Sequence, residues 1–231
     1  MSMTPILFFH GAIGSMAQMQ QMSMYFSQKG HLTRCVDLPG HGQRTHQQPF
    51  SFEDFAAAVR QEIDAFDGQE VFLVGYSMGG YAALCAALQN ANNIKGIVTF
   101  GTKFLWDEAA AEKQCKFLVP ATLTAKVPAF AKQLESEHGA GWAQVLEKTA
   151  DLLRRNAPNN LLSKEKLAQI SCPVLVSIGE NDTTADVQES LVVARTIPKG
   201  SFLCLPHTPH DLQKANLTIL GPIIERFFAT T

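Results

Sequence analysis

The chain has 231 residues, of which 46% are hydrophobic and 17% charged, with 19 Lys+Arg against 21 Asp+Glu and a formal net charge of −2. That balance excludes an intrinsically disordered chain and argues against a nucleic-acid partner, because phosphate contacts need a basic face and no run of five basic residues occurs. The longest apolar stretches, residues 6–9 and 71–74, are strand-sized and far short of the roughly 20 residues that cross a bilayer.

At the N-terminus, Met1 to Pro5 carry no positive charge ahead of Ile6-Leu7-Phe8-Phe9, and His10-Gly11 is not a small-residue cleavage site. No signal peptide is expected, and the protein is read as cytoplasmic. Short β-branched and aromatic runs then alternate with helical patterns, which is the signature of βαβ units and a parallel sheet. Strands are expected near residues 6–10, 33–37, 71–75 and 96–100, with helices near 16–28, 52–66 and 78–89. In the second helix Phe52, Phe55, Ala56, Val59, Ile63 and Phe66 recur at helical spacing, and Ser51 with Asp54 resembles a capping box.

From residue 102 to about 169 the alternation stops. This segment reads as successive helices at 109–117, 128–137 and 141–155, punctuated by Pro120, Gly139 and Pro158. It is too long for an ordinary loop and is expected to be a helical lid inserted between strands. The βα rhythm resumes with strands at 174–178 and 201–205 and helices near 187–196 and 217–228. The expected fold is therefore α/β: a mostly parallel sheet of about six strands with helices on both faces, the core being 1–101 and 170–231 and the lid 102–169. Cys35, Cys85, Cys115, Cys172 and Cys204 are odd in number and mostly set in apolar segments, as reduced core cysteines are.

Gly75-Tyr76-Ser77-Met78-Gly79 fits G-x-S-x-G, and it follows an apolar strand and opens a helix. A serine on such a turn is pushed into a strained, exposed position, and the glycines allow strand and helix to approach closely. A serine hydroxyl is a weak nucleophile by itself, so a base and an orienting acid are expected elsewhere. Candidates follow the two later strands: Gly179-Glu180-Asn181-Asp182 after the first, and Pro206-His207-Thr208-Pro209-His210 after the second. The C-terminal ends of parallel strands share one edge of the sheet, so these turns can converge on Ser77.

With these motifs the chain resembles the α/β-hydrolase fold family, of the lidded, carboxylesterase-like kind. His10-Gly11-Ala12-Ile13-Gly14 is similar to the family's HGxxG loop, and Asp37-Leu38-Pro39-Gly40-His41-Gly42 resembles its D-x-x-G-H-G turn. The elbow and the acid and histidine turns complete four motifs in family order. The resemblance implies a Ser77, Asp182 and His210 triad, with the backbone N–H groups of Ala12 and Met78 as the oxyanion hole. His210 is selected over His207 by alignment with P-x-x-G-H, although Pro209 replaces the usual glycine. Asp182 competes with Glu180 and with Asp186, which can instead cap the next helix. The family's opening hairpin is expected to be absent, and Met19 stands where many relatives place a tryptophan.

Met19, Phe104 and Trp106 are candidate substrate contacts, the last two because they follow a strand directly below the lid. The largely helical spacing of Met16, Met19, Met22 and Met24 reads as an adaptable core face in preference to a pocket lining. His10 and His41 read as loop-bracing hydrogen-bonders, and Asp37 as a turn-fixing side chain. No H-E-x-x-H occurs, and His207 with His210 lack further ligands at a usable spacing, so neither metal nor other cofactor is expected. The resulting expectation is a serine esterase acting on a small or medium ester-like small molecule. Thioester cleavage, C–C bond hydrolysis, acyl transfer, cofactor-free peroxidase chemistry or a silent ligand receptor use the same scaffold. Oligomeric state is left undefined.

Overall fold

The computed structural model describes residues 4–44 and 46–231; Met1 to Met3, part of the N-terminal segment considered above, lie outside the described residues. Among these, six parallel strands form one sheet: β1 (Ile6–Phe9), β2 (Thr33–Val36), β3 (Val71–Tyr76), β4 (Ile94–Phe100), β5 (Val174–Asn181) and β6 (Gly200–Pro209). Their order is β2-β1-β3-β4-β5-β6. The chain moves outward from β1 to β2 and then returns to the other side of β1, so the order reverses between β1 and β3. Ligands in open α/β sheets bind beyond the C-terminal strand ends at such a reversal.

Strand side chains point alternately to the two faces, and each face is apolar. Leu7, Phe9 and Leu73 join one core with α2 (Phe52–Asp64), α3 (Met78–Gln89) and α9 (Val187–Thr196). Ile6, Phe8, Phe72 and Val74 join the other with α1 (Gln20–Gln28) and α10 (Leu217–Thr230), where Phe228 stacks on Phe72 with ring centroids 3.9 Å apart. Burial on both faces is why these strands read as continuous hydrophobic runs. The Ser51 hydroxyl accepts the Asp54 N–H and starts α2 as the capping pattern requires.

Between β4 and β5, residues 102–169 contain helices and no strand: α4 (Glu108–Cys115), α5 (Pro120–Lys126), α6 (Pro128–His138), α7 (Trp142–Asn156) and α8 (Lys164–Leu167). The sequence treats Pro120 as a separator, whereas it is the first-turn proline of α5, a position where its missing N–H costs nothing. Two strands run further than their apolar cores suggest, because Asn181 pairs with Pro209 beyond a register shift at Gly179. Met19 and Met22 face the α1 core, but Met16 and Met24 are exposed. Residues Met16–Met19 form a 3-10 turn, whose three-residue period breaks the helical stripe assumed for the four methionines.

Candidate active site

Ser77 sits between β3 and α3 with φ 49° and ψ −114°, a strained conformation for a non-glycine residue. Its backbone is held on both sides. Its N–H donates to the Phe100 carbonyl at 2.8 Å, and its carbonyl accepts the Thr102 hydroxyl at 2.9 Å. A Cβ on Gly79 would strike the Phe9 and His10 carbonyls, and one on Gly75 would strike the backbone of Gly79 and Gly80. The two glycines therefore let α3 cross the sheet closely enough to set the turn.

Asp182 follows β5 and His210 follows β6. His210 Nδ1 lies 2.7 Å from Asp182 Oδ2, while Asp182 Oδ1 accepts the N–H groups of Thr184 and Ala185, both at 2.8 Å. The Asp182 side chain is fully enclosed. Gly101, at φ 61°, lies directly beneath this pair: a Cβ there would be 3.1 Å from both Asp182 Oδ2 and His210 Nδ1. The other candidates have different surroundings. The His207 side chain is 92% exposed beside Glu180, and Asp186 caps α9 by accepting the Glu189 N–H.

Ser77 and His210 line one cavity of about 760 Å³, together with Ala12, Met78 and Trp106. Tyr76 forms part of its wall, its ring centroid 5.3 Å from that of His210, and burial pushes its phenol pKa up so that it stays neutral. Met19 and Phe104 are corrected by the structure: both are 0% exposed inside the two cores and do not reach the cavity. The 3-10 turn presents Ala17 and Gln18 there instead of Met19. Phe104 turns inward because Glu189 Oε1 accepts the N–H groups of Phe104 and Leu105, both at 2.7 Å, while Trp106 stays on the wall.

Much of the remaining wall comes from the inserted segment: Phe117 and Leu118 in the loop after α4, Leu123 on α5, and Phe130 and Leu134 on α6. Sequence reasoning missed these because their helices carry no motif; an apolar residue just outside a helix end, such as Phe117 after α4, was the available signal. Gln18 holds the loop after β1 through its Oε1, which accepts the Gly11 N–H at 2.9 Å.

His10 and His41 are buried braces. His10 Nε2 accepts the Leu38 N–H at 3.0 Å and its Nδ1 lies 2.7 Å from the Gly11 carbonyl. Burial lowers the His10 pKa to about 4 and holds that of His41 well below the usual range. Among the described residues no group of three potential ligands could hold a metal ion. Among the described residues, no helix is long and apolar enough to cross a membrane.

Residues 4–118 match the family model described as alpha/beta hydrolase fold. Among curated proteins, the ethanol acetyltransferase 1 of Cyberlindnera jadinii is 25% identical over 170 residues, covering 72% of this chain and 47% of that protein. The 2-succinyl-6-hydroxy-2,4-cyclohexadiene-1-carboxylate synthase of Escherichia coli is 32% identical over 96 residues, covering 42% of this chain and 37% of the synthase. The chain thus spans less than half the length of either relative. A solved thermophilic esterase from Thermogutta terrifontis superposes with a TM-score of 0.78 at 18% identity, covering 99% of this chain and 90% of that one.

Proposed function

The chain belongs to the α/β-hydrolase fold family, and on that premise we propose that it is a serine hydrolase that cleaves an uncharged ester through an acyl-enzyme. One observation carries the reading: a serine on a strained elbow and a histidine anchored to an enclosed aspartate open onto one cavity. Ser77 Oγ attacks the carbonyl carbon while its proton passes to His210 Nε2, and Asp182 keeps the proton on Nδ1 and stabilises the imidazolium. The N–H groups of Ala12 and Met78 receive the developing oxyanion, where one donor is worth about 3–4 kcal/mol. His210 then protonates the leaving alkoxide, and water activated by the same ring releases the acid. Residues 102–169 act as the lid that excludes bulk water.

The wall chemistry supports an uncharged acyl group. Phe117, Leu118, Leu123, Phe130 and Leu134 suit a hydrocarbon chain. The synthase named above makes a product with a succinyl chain and a ring carboxylate, which calls for cationic partners. Among the described wall residues Lys103 is the cation, and it pairs with Glu189 at 3.4 Å, while Glu137 and Asp211 add negative charge. Acyl transfer to an alcohol is the second reading, favoured by the acetyltransferase likeness; it differs only in whether water or an alcohol accepts the acyl group. All five cysteines are free, which supports a reducing, cytoplasmic setting.

The test is a series of p-nitrophenyl esters from acetate to decanoate, run with and without ethanol, alongside labelling by a fluorophosphonate. Turnover and labelling are expected in the native protein and lost in Ser77→Ala with its fold intact. Unchanged turnover in that variant overturns the mechanism, and a folded native protein that neither labels nor turns over points to a ligand receptor. Ethyl ester formed in preference to free acid favours the transferase.

A further inference from the structure

The last turn of α6, although it belongs to the inserted segment, is tied to the loops that follow β1 and β2, the first of which borders the elbow. His138 Nδ1 lies 2.8 Å from the Gly42 N–H nitrogen and can only accept there, so its Nε2 carries the proton and donates to the Ile13 carbonyl at 2.9 Å. Next to it, Glu137 Oε2 accepts the Ser15 hydroxyl at 2.8 Å, and the Glu137 carbonyl accepts Gln43 Nε2 at 3.3 Å. The two residues therefore bind the loop after β1 at Ile13 and Ser15 and the loop after β2 at Gly42 and Gln43.

The bond to Ile13 has the most direct bearing on chemistry. Ile13 has φ 55°, an uncommon conformation for a β-branched residue, which needs outside support to persist. It immediately follows Ala12, and its carbonyl lies in the Ile13–Gly14 peptide, so anchoring that carbonyl holds the positive φ of Ile13 and with it the turn that leads out of Ala12. The Gly11–Ala12 peptide that carries the Ala12 N–H is held at its carbonyl by His10 Nδ1 at 2.7 Å. Gln18 anchors the loop from the other end, through the Gly11 N–H. From these contacts we infer that His138 is a positioning residue for the oxyanion hole: while α6 is docked it fixes the far side of the Ala12 turn, as His10 and Gln18 fix the near side, so the inserted segment contributes to the chemical step as well as to access. This rests on the hydrolase reading given above.

The imidazole's two bonds can be separated by substitution. His138→Gln places an amide donor where Nε2 stood and can keep the Ile13 bond, whereas His138→Asn places an acceptor where Nδ1 stood and can keep only the Gly42 bond. Steady-state hydrolysis of a p-nitrophenyl ester by the full chain is expected to show kcat reduced about tenfold to a hundredfold in His138→Ala and His138→Asn, less than outright loss of an oxyanion donor. KM should change little, and His138→Gln should recover most of kcat. A purely structural role would lower the melting temperature in both amide variants alike and would not separate their kcat values. Unchanged kcat in His138→Ala and His138→Asn, or equal loss in Gln and Asn, overturns the inference. Should His138→Ala fail to fold, the Gln and Asn pair still decides it. A native chain whose Ser77 takes no fluorophosphonate overturns the hydrolase reading first; labelled Ser77 with no Gln/Asn difference overturns the positioning role alone.

Discussion

His210 Nδ1 and Asp182 Oδ2 stand 2.7 Å apart, and the second oxygen of that carboxylate is occupied by the Thr184 and Ala185 N–H groups. The aspartate cannot rotate without breaking two backbone bonds, so the imidazole is fixed with its proton on Nδ1 and its Nε2 lone pair free. Asp182→Asn keeps an oxygen for the two backbone donors but turns an N–H group toward Nδ1, which favours the other tautomer. Ester hydrolysis should fall roughly 10⁴-fold with the melting temperature little changed. His207→Ala, altering a side chain that is 92% exposed, should leave the rate intact. Near-native turnover in Asp182→Asn would remove that residue from the mechanism.

The elbow glycines should be intolerant of a single methyl. In Gly79→Ala the new carbon collides with the Phe9 and His10 carbonyls, which are backbone and cannot rotate away. A loss of about 3 kcal/mol in urea unfolding is expected, the upper range for overpacking, together with loss of Ser77 reactivity as α3 shifts.

Acid should destabilise the fold through His10. Its folded pKa of about 4 lies below the ordinary 6.5 because burial disfavours the charged ring. Between those values the unfolded chain binds more protons than the folded one, so stability rises with pH through that window and is lost as pH falls. From pH 7 to pH 5 His10 alone should remove about 2 kcal/mol, and His41, shifted the same way, adds to it. Urea midpoints at the two pH values measure the effect. His10→Gln retains an acceptor for the Leu38 N–H without a titrating ring, and it should flatten the dependence.

Glu189 secures the start of the inserted segment. One oxygen accepts the Phe104 and Leu105 N–H groups and the other pairs with Lys103 at 3.4 Å, with both charged side chains largely buried. Glu189→Ala leaves two donors and a cation without their acceptor, at a cost of about 3 kcal/mol. Limited proteolysis should then cut first within residues 102–169; cleavage first in the sheet would contradict this.

Several features were legible because they are local. Ser51 and Asp54 announce the start of α2 through one cap, and Gly75 and Gly79 announce the elbow because a methyl at either position has no room. The burial of β1 and β3 on both faces is written in their uninterrupted apolar runs. Met19 shows the limit. Its helical spacing reads as a core face and it is buried there, so as a substrate contact it fails, while the 3-10 turn, which a 3.6-residue period cannot foresee, brings Ala17 and Gln18 to the cavity. Phe104 was misplaced for another reason: the acceptor that turns its backbone inward, Glu189, lies 85 residues away.

Read by itself, the sequence determined the parallel α/β sheet, the position of the inserted helices and the strand ends at which Ser77, Asp182 and His210 occur. These depend on the periodicity of apolar residues and on turns that a few neighbouring residues dictate. Tertiary structure alone decided which histidine meets Asp182, which side chains wall the cavity, and that His138 reaches Ile13 across 125 positions. Such contacts depend on how the inserted helices dock, and their packing is set by shape and hydrogen bonding among distant residues that leave no periodic trace along the chain.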